Sequence, residues 1–251
     1  MTKILHMVWV GATPHEIALK CIRRNMKVAL QSQWLFMFHT NIDPSELPAD
    51  LAKYAVDVSD YVASITPKYK WCYKRGGEYN YSHIADAIRI KALLEHGGMY
   101  QDADNYVLVD DMDFVLGEWS DKVQFQGEGN GYLKLNNCYM YSPHANHPVM
   151  RTAYDELDKL GDRQFWGICG PSMFTRLFPA SPASAREELG IVARNNATCA
   201  LSPGAIGGLK RKTPDGEKFT IDLLYYQTAG YKVISFFDSI NEGKMRIINE
   251  L

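Results

Sequence analysis

Residues 82–104 leave this chain few folds to choose from. No Pro or Gly interrupts Ser82 to His96, and apolar residues fall at Ile84, Ala85, Ala87, Ile88, Ile90, Ala92, Leu93 and Leu94. That density predicts a buried helix, with Ser82 as its N-cap. Helical spacing puts Ser82, Asp86, Arg89 and His96 on one stripe, a polar seam that contains an opposed charge pair. Gly97 and Gly98 then supply a left-handed stop, and Met99, Tyr100 and Gln101 open a strand that ends in Asp102, Ala103, Asp104. Strand alternation sends both carboxylates to one side. Free of a nearby Lys or Arg, they are expected to repel each other and to call for a cation, and hard oxygen ligands suit Mg2+ or Mn2+. Taken singly the parts are bland: Asp-x-Asp is a common tripeptide, and an Asp three residues before an Arg reads as a surface ion pair worth ~0.3 kcal/mol. Their ordered combination is much rarer.

The run Ala85-Asp86-Ala87-Ile88-Arg89, followed by His96-Gly97-Gly98-Met99-Tyr100-Gln101-Asp102-Ala103-Asp104, resembles the signature of the DXD-containing sugar transferases. These are GT-A fold enzymes similar to the family 32 glycosyltransferases and, more distantly, to the glucosylating toxins. The resemblance implies an α/β fold, GT-A-like, with a Rossmann-type mixed central sheet and helices on both faces. It also implies a nucleoside diphosphate sugar donor, UDP-linked, a glycan or other hydroxyl acceptor, and Mn2+ or Mg2+ as cofactor. Asp104 and Asp102 are then the metal-side and catalytic carboxylates. Val8, Trp9, Asp86, Arg89, Gly98, Asp102 and Ala103 are the donor-binding candidates, with Val8 and Trp9 toward the uracil and Asp86 with Arg89 on hydroxyls of the transferred sugar. Glu128, with Asn137, Pro143 and His147-Pro148 following in the family's order, implies contacts on the sugar or acceptor side. Glu128 is accordingly a third catalytic candidate, and it reads equally well as a solvated turn residue.

Composition sets the outer bounds. With 251 residues, 46% of them hydrophobic, the chain can bury a full core as one large domain. We expect a single catalytic domain over 1–251, its nucleotide-sugar half in 1–110 and its acceptor half in 111–251. A formal charge of −2 argues against nucleic acid or an anionic membrane as the main partner, since neither gains counterion release from such a surface. Five scattered cysteines, Cys21, Cys72, Cys138, Cys169 and Cys199, form no C-x-x-C pair and read as reduced thiols, which favours a cytoplasmic setting. Ile4–Val10 is too short for a secretory signal, and no stretch approaches the ~20 apolar residues of a membrane span.

Along the chain, Lys3–Val10 reads as a strand, and Thr13-Pro14 as the cap and first residue of a helix running to about Leu30. Gln33–His39 reads as a strand buried on both faces of a parallel sheet. In such a sheet, ligands sit beyond the carboxyl ends of the strands, which brings Val8–Gly11 beside the acidic pair. The tyrosine-rich segment 59–81 fits either sugar stacking or packing between short helices. Asp110, Asp111 and Asp113 read as a solvated turn, and Lys210-Arg211-Lys212 as a basic loop. Cys169-Gly170-Pro171-Ser172 opens a further helix. The last histidine is His147, so a third protein ligand from the C-terminal part would be Asp222, Gln227, Asp238 or Asn241, or else water completes the shell.

No carboxylate stands out as a nucleophile, so the resemblance to retaining enzymes points to same-face attack assisted by the departing phosphate oxygen. Two rival readings share the donor site: a metal-dependent nucleotide-sugar hydrolase, and a non-catalytic carbohydrate or nucleotide binder.

Overall fold

The structure, a computed structural model, describes residues 1–128, 134–165, 167–180, 184–194, 199–200, 210–212, 218–220 and 231–235. In chain order the first half runs β1 (Ile4–Trp9), α1 (Glu16–Gln31), β2 (Leu35–Thr40), α2 (Ala49–Ala52), β3 (Ala55–Asp57), α3 (Ser59–Ile65), α4 (Tyr81–His96), β4 (Gly98–Gln101), β5 (Asn105–Val107) and α5 (Met112–Leu116). The second half runs β6 (Val123–Glu128), β7 (Lys134–Ser142), α6 (Pro148–Leu157), α7 (Pro171–Leu177), α8 (Ser184–Glu188), β8 (Ile191–Arg194), β9 (Cys199–Ala200), β10 (Lys210–Lys212), β11 (Lys218–Thr220) and β12 (Val233–Ser235).

Seven strands form the central sheet in the order β3-β2-β1-β4-β7-β6-β8. The β1–β2, β2–β3, β1–β4 and β6–β8 pairs are parallel, while β7 runs antiparallel to both β4 and β6, so the sheet is mixed as expected. The chain winds outward from β1 to β2 and β3, then crosses to lay β4 against the other edge of β1. That reversal opens a crevice at the carboxyl ends of β1 and β4, where α/β sheets take their ligands. A smaller sheet, β5-β12-β9, continues beyond β4, and β10 pairs with β11.

Alternation along the strands divides the apolar residues between two cores. Val8, Tyr100, Phe125 and Met140 face one cluster, with Ile84, Ile88 and Leu93 of α4 and Met173 of α7. Leu5, Met7, Met99, Tyr139 and Tyr141 face the other, with Ala18, Ile22 and Val28 of α1. Helices therefore cover both faces of the sheet, and β4 is buried along its whole length.

Two local expectations are corrected. The first helix begins at Glu16, capped by His15 Nδ1, which accepts from the Ala18 amide at 3.3 Å; Thr13 and Pro14 lie in the turn before it. α4 begins at Tyr81 with Asn80 at the cap, and the Ser82 hydroxyl donates sideways to Asn80 Oδ1 at 2.7 Å rather than capping the helix. The acidic turn is exposed at Asp110 and Asp113, as read, and its side chains also find partners: Asp110 pairs with Arg24 at 2.8 Å, Asp111 caps α5, and Asp113 meets Lys3 at 2.7 Å and Trp34 Nε1 at 2.8 Å. His147 caps α6 through Val149 N, as its position before Pro148 suggested.

The double-glycine stop behaves as read. Gly97 and Gly98 have φ of 68° and 92°, and a Cβ on Gly98 would stand 2.5 Å from the Ile4 carbonyl oxygen. Positive φ and contact with a strand carbonyl both demand glycine, because neither the backbone nor β1 can yield there. Gly98→Ala should cost about 3 kcal/mol in urea unfolding. An unchanged midpoint would refute this account of the turn.

Beneath β1, the His6 Nε2–H donates to the Gly97 carbonyl at 2.8 Å, and His6 Nδ1 lies 2.9 Å from His39 Nε2. Burial lowers the pKa of His6 to about 4 and that of His39 well below the usual 6.5. Both rings are neutral in the fold but take protons near pH 6.5 when unfolded, so stability is full above pH 6.5 and falls as pH drops toward 4. His6 alone should remove roughly 3 kcal/mol over that window. Urea midpoints measured from pH 7 to pH 4.5 should fall continuously, and a flat profile between pH 6.5 and 5 would contradict the buried neutral pair.

Candidate functional site

The site begins with a tight turn. Leaving β4, the Asp102 amide donates to the Cys138 carbonyl of β7 at 3.0 Å, and the Asn105 amide donates back to the Asp102 carbonyl at 2.9 Å. Asp102, Ala103 and Asp104 thus occupy a closed loop. Asn105 Nδ2 fastens its far end to the same Cys138 carbonyl at 2.8 Å. From α1, the side chain of Asn25 donates to the Asn105 carbonyl and accepts from the Val107 amide, while Arg24 donates to the Val107 and Val109 carbonyls. Both acids therefore ride on a backbone clamped by β7 on one side and α1 on the other.

A cavity of about 390 Å³ opens over this turn. One wall is Val8, Trp9, Val10 and Ala12 at the end of β1; the opposite wall is Asp102, Ala103 and Asp104 at the end of β4. Tyr81, Ser82, Ala85 and Arg89, on the first two turns of α4, and Tyr100 complete it. Trp9 is half-buried rather than core, its Nε1–H donating to the Ala12 carbonyl at 2.6 Å and its indole set edge-on to His15. Tyr81, one of several tyrosines weighed in segment 59–81, lies with its ring against Gly11, where a Cβ would come within 2.9 Å of it.

The expectation that the acidic pair lies free of any Lys or Arg is overturned. Arg89 Nη1 is 2.8 Å from Asp102 Oδ1, and Arg89 Nη2 is 3.3 Å from Asp86 Oδ1. The Arg89 Nη1–H also donates to the Asn137 carbonyl at 2.8 Å, and the guanidinium lies 4.3 Å from the centre of the Tyr100 ring. The Tyr100 hydroxyl donates to Asp102 Oδ1 at 2.7 Å. Helix and strand lie far apart in local geometry, so this pairing arises only when α4 packs on β4. Burial opposes the Arg89 charge, but Asp102, Tyr100 and Asp86 outweigh it and push its pKa up. The Tyr100 phenol is likewise pushed up, chiefly by burial, so it donates as a neutral group.

Arg89 and Tyr100 both act on Oδ1 of Asp102; its other oxygen has no partner among the described residues. The carboxylate is thus fixed without being used up. Asp104 is buried to 8% exposure beside it. Among the described residues, one guanidinium serves both Asp86 and Asp102. Among the described residues, no group of three or more His, Cys, Asp and Glu side chains is placed to cage a metal. Two carboxylates with room for water and phosphate oxygens fit Mg2+ or Mn2+, which tolerate such partial ligation, better than a closed zinc site.

The remaining candidates sit as follows. Asp86 is buried, does not line the cavity, and accepts from Asn137 Nδ2 at 2.7 Å; burial raises its pKa against the pull of Arg89 and Asn137. Asn137 is therefore a neighbour of Asp86. Gly170, at the head of α7, faces them both: a Cβ there would meet Asp86 Oδ2 and Asn137 Nδ2 at 2.8 Å. Gly98 lies at the opposite end of β4 from the cavity, against Ile4 and His6. Glu128 ends β6 opposite Lys134, and its side chain lies outside the described residues. The Lys210–Lys212 side chains, Asp222, Gln227, Asp238 and Asn241 also lie outside them. Tyr100, read from the sequence as part of the strand and of the family signature, also touches the acid, because its place two residues before Asp102 puts both side chains on one face. Cys21, Cys72, Cys138 and Cys169 are buried thiols, and no helix among the described residues is long and apolar enough to cross a membrane.

Residues 19–123 match the family described as the glycosyltransferase sugar-binding region containing the DXD motif. That span holds Asp86, Arg89, Asp102 and Asp104, so the resemblance read from the sequence stands. Among solved structures, the chain is similar to the PaToxG glycosyltransferase at 14% identity, covering 99% of this chain and 84% of that one, with a TM-score of 0.51. An active-site mutant of LgtC aligns at 13% identity over 98% of this chain and 94% of that one, TM-score 0.48. A glycosyltransferase involved in glycosylation of the major capsid of PBCV-1 aligns at 8% identity over 98% and 99%, TM-score 0.47. A search of curated proteins found no match. The family match and the GT-A fold support sugar transfer in general.

The Arg89 cluster makes a prediction about stability. Arg89→Met leaves two carboxylates facing each other across a buried space and should cost about 3–5 kcal/mol. Tyr100→Phe keeps the ring under the guanidinium and removes one hydrogen bond, for about 1 kcal/mol. Urea denaturation of the two variants side by side checks the ranking, and equal losses would mean that Arg89 is not the group that neutralises the cluster.

Proposed function

We propose that this chain transfers a sugar from a nucleoside diphosphate sugar, UDP-linked, to an acceptor hydroxyl on a glycan or similar molecule, with Mn2+ or Mg2+ as cofactor. The observation that carries the reading is the cavity at the carboxyl ends of β1 and β4, where Val8 and Trp9 face Asp102, Ala103 and Asp104 across about 390 Å³. An aromatic and aliphatic wall suits a planar base, and a doubly acidic wall suits a cation carrying a diphosphate.

Each residue then has a physical task. Val8 and Trp9 flank the uracil, with the indole held in place by Ala12 and His15. Ala103 keeps the turn between the acids small enough for a nucleotide to approach. Asp104 is a direct metal ligand, and Asp102 offers its unpartnered oxygen to the metal, to metal-bound water or to the ribose. When bound, the ion screens the charge that builds on the diphosphate as it leaves. Arg89 and Tyr100 hold Asp102 so that this oxygen is already placed. Arg89, on the cavity wall, is assigned with Asp86 to hydroxyls of the transferred sugar; Asp86 is buried and steadied by Asn137, with Gly170 packed close against it. Glu128 is assigned to the acceptor side. Gly98 acts at a distance, by setting where β4 begins.

Among the described residues, the carboxylates lining the cavity are Asp102 and Asp104, and both are committed to the leaving diphosphate. We assign same-face attack with retention, in which the departing phosphate oxygen takes the acceptor proton. A cytoplasmic setting and a single catalytic unit over 1–251 belong to the same proposal.

Incubation with UDP-sugars and Mn2+, with and without candidate glycans, separates transfer from bare hydrolysis and from binding alone. Asp104→Asn should lower metal-dependent turnover at least ~100-fold, and should reduce UDP affinity in Mn2+ to that of the wild type in chelator. Turnover and UDP affinity that survive the substitution would remove Asp104 from the metal site.

A further inference from the structure

A second cavity, of about 480 Å³, lies between the end of β2, β3, α3 and the C-terminal half of α4. It shares α4 with the donor cavity: Ile88, Lys91, Ala92 and Glu95 face this side, while Ala85 and Arg89 face the other. Nothing in the proposed sugar transfer uses it.

Its wall includes His39, which is 4% exposed. The hydrogen bonds behind this ring fix its tautomer. A carbonyl oxygen can only accept, so the Gly97 carbonyl requires His6 Nε2 to carry hydrogen. His6 is neutral, and its Nδ1 is therefore a lone pair. His39 Nε2, 2.9 Å away, must then be the donor, and His39 Nδ1 is left with a lone pair of its own. That nitrogen has no hydrogen-bond partner among the described residues. Burial, together with His6, His96 and Lys91, keeps the His39 ring neutral, so Nδ1 stays an acceptor. Nδ1 is not among the buried atoms left without a partner, so it is open to the cavity, where it can be met by water or by a ligand that donates.

Charge narrows the ligand further. Asp57, Asp60 and Glu95 line the cavity against the single ammonium of Lys91, which already pairs with Glu95 and lies 5.5 Å from the centre of the Tyr61 ring. The Asp57 carboxylate accepts from the Ser59 hydroxyl and amide, which lowers its pKa and keeps it ionised. Three carboxylates and a lone pair repel an anion. Asp57, Asp60 and Glu95 are exposed on the rim, so a neutral polyol would satisfy His39 but gain nothing from their charge, whereas an alkylammonium head brings both positive charge and three N–H donors. Val56, Val58, Ile88 and Ala92 supply an apolar surface for its methylene stem.

We propose that this cavity is a second binding site, for a small aliphatic primary amine, with His39 Nδ1 and the Asp57, Asp60 and Glu95 carboxylates as the recognising groups.

The test is a titration of the full chain, labelled with 15N-histidine, with 1,4-diaminobutane at pH 7.5, followed by long-range proton–nitrogen NMR. The His39 Nδ1 resonance should begin at a lone-pair position and move to lower shift, with saturation, as it accepts a hydrogen bond, while His6 keeps its tautomer. Sodium chloride at matched ionic strength and 1,4-butanediol at matched concentration should leave it in place. Substituting His39 itself risks the core beneath β1, so the variant to use is Asp60→Asn with Glu95→Gln on the rim. In that variant the free-state His6 and His39 signals should match the wild type, and the amine should bind at least 10-fold more weakly. No saturable shift with the amine, an equal shift with the diol or with salt, or unchanged affinity in the rim variant would each overturn the assignment.

Discussion

One buried guanidinium holds the proposed active site in register. Arg89 reaches from α4 to Asp102 beyond β4, to Asp86 on its own helix and to the Asn137 backbone on β7, with the Tyr100 ring beneath it. Taken alone, each of these groups would be costly to bury. Together they exchange charge and hydrogen bonds in a space where water cannot compete, so the helix, two strands and the acidic turn are fixed relative to one another. Among the described residues this one guanidinium serves both Asp86 and Asp102, and Asp102 keeps an unpartnered oxygen at the cavity wall. A rigid carboxylate with one oxygen still open is what a transiently bound cation with its diphosphate requires.

The rest of the fold serves that placement. The reversal of winding between β1 and β4 creates the crevice, and glycine at 97 and 98 lets β4 start directly from α4 without pushing β1 aside. From the opposite face of the sheet, Asn25 and Arg24 of α1 stitch down the backbone that follows the acidic turn. Disorder in that turn would place the carboxylates over a range of positions; with both sides stitched, the cost of ordering them is met during folding and not during binding.

Much of this was legible in the sequence, because the relevant signals are local. An uninterrupted apolar run, two glycines and an alternating strand are enough to place α4, β4 and the acidic pair, since each depends on backbone conformations a few residues long. What failed to show was contact across elements. Arg89 and Asp102 read as separate features, one on a polar seam and one awaiting a cation, and only the packing of α4 on β4 reveals that they touch. The same packing hides Asp86 from the cavity and turns Asn137 toward it. Thr13-Pro14 made a better cap on paper than His15 because ring nitrogens are rarely counted among capping groups. Tyr100 stands in the strand and in the family signature, but its place under Arg89 depends on the packing of α4 on β4.

The central claim is that Asp102 and Asp104 hold a divalent ion against a nucleoside diphosphate at the ends of β1 and β4. Anomalous diffraction from crystals soaked with UDP and Mn2+ tests it most directly. The account predicts one manganese peak about 2.1 Å from an Asp104 oxygen, also touching the diphosphate, with the uracil lying between Val8 and Trp9. Nucleotide density in that cavity with no manganese at the acidic turn, or manganese bound elsewhere on the chain, would contradict it.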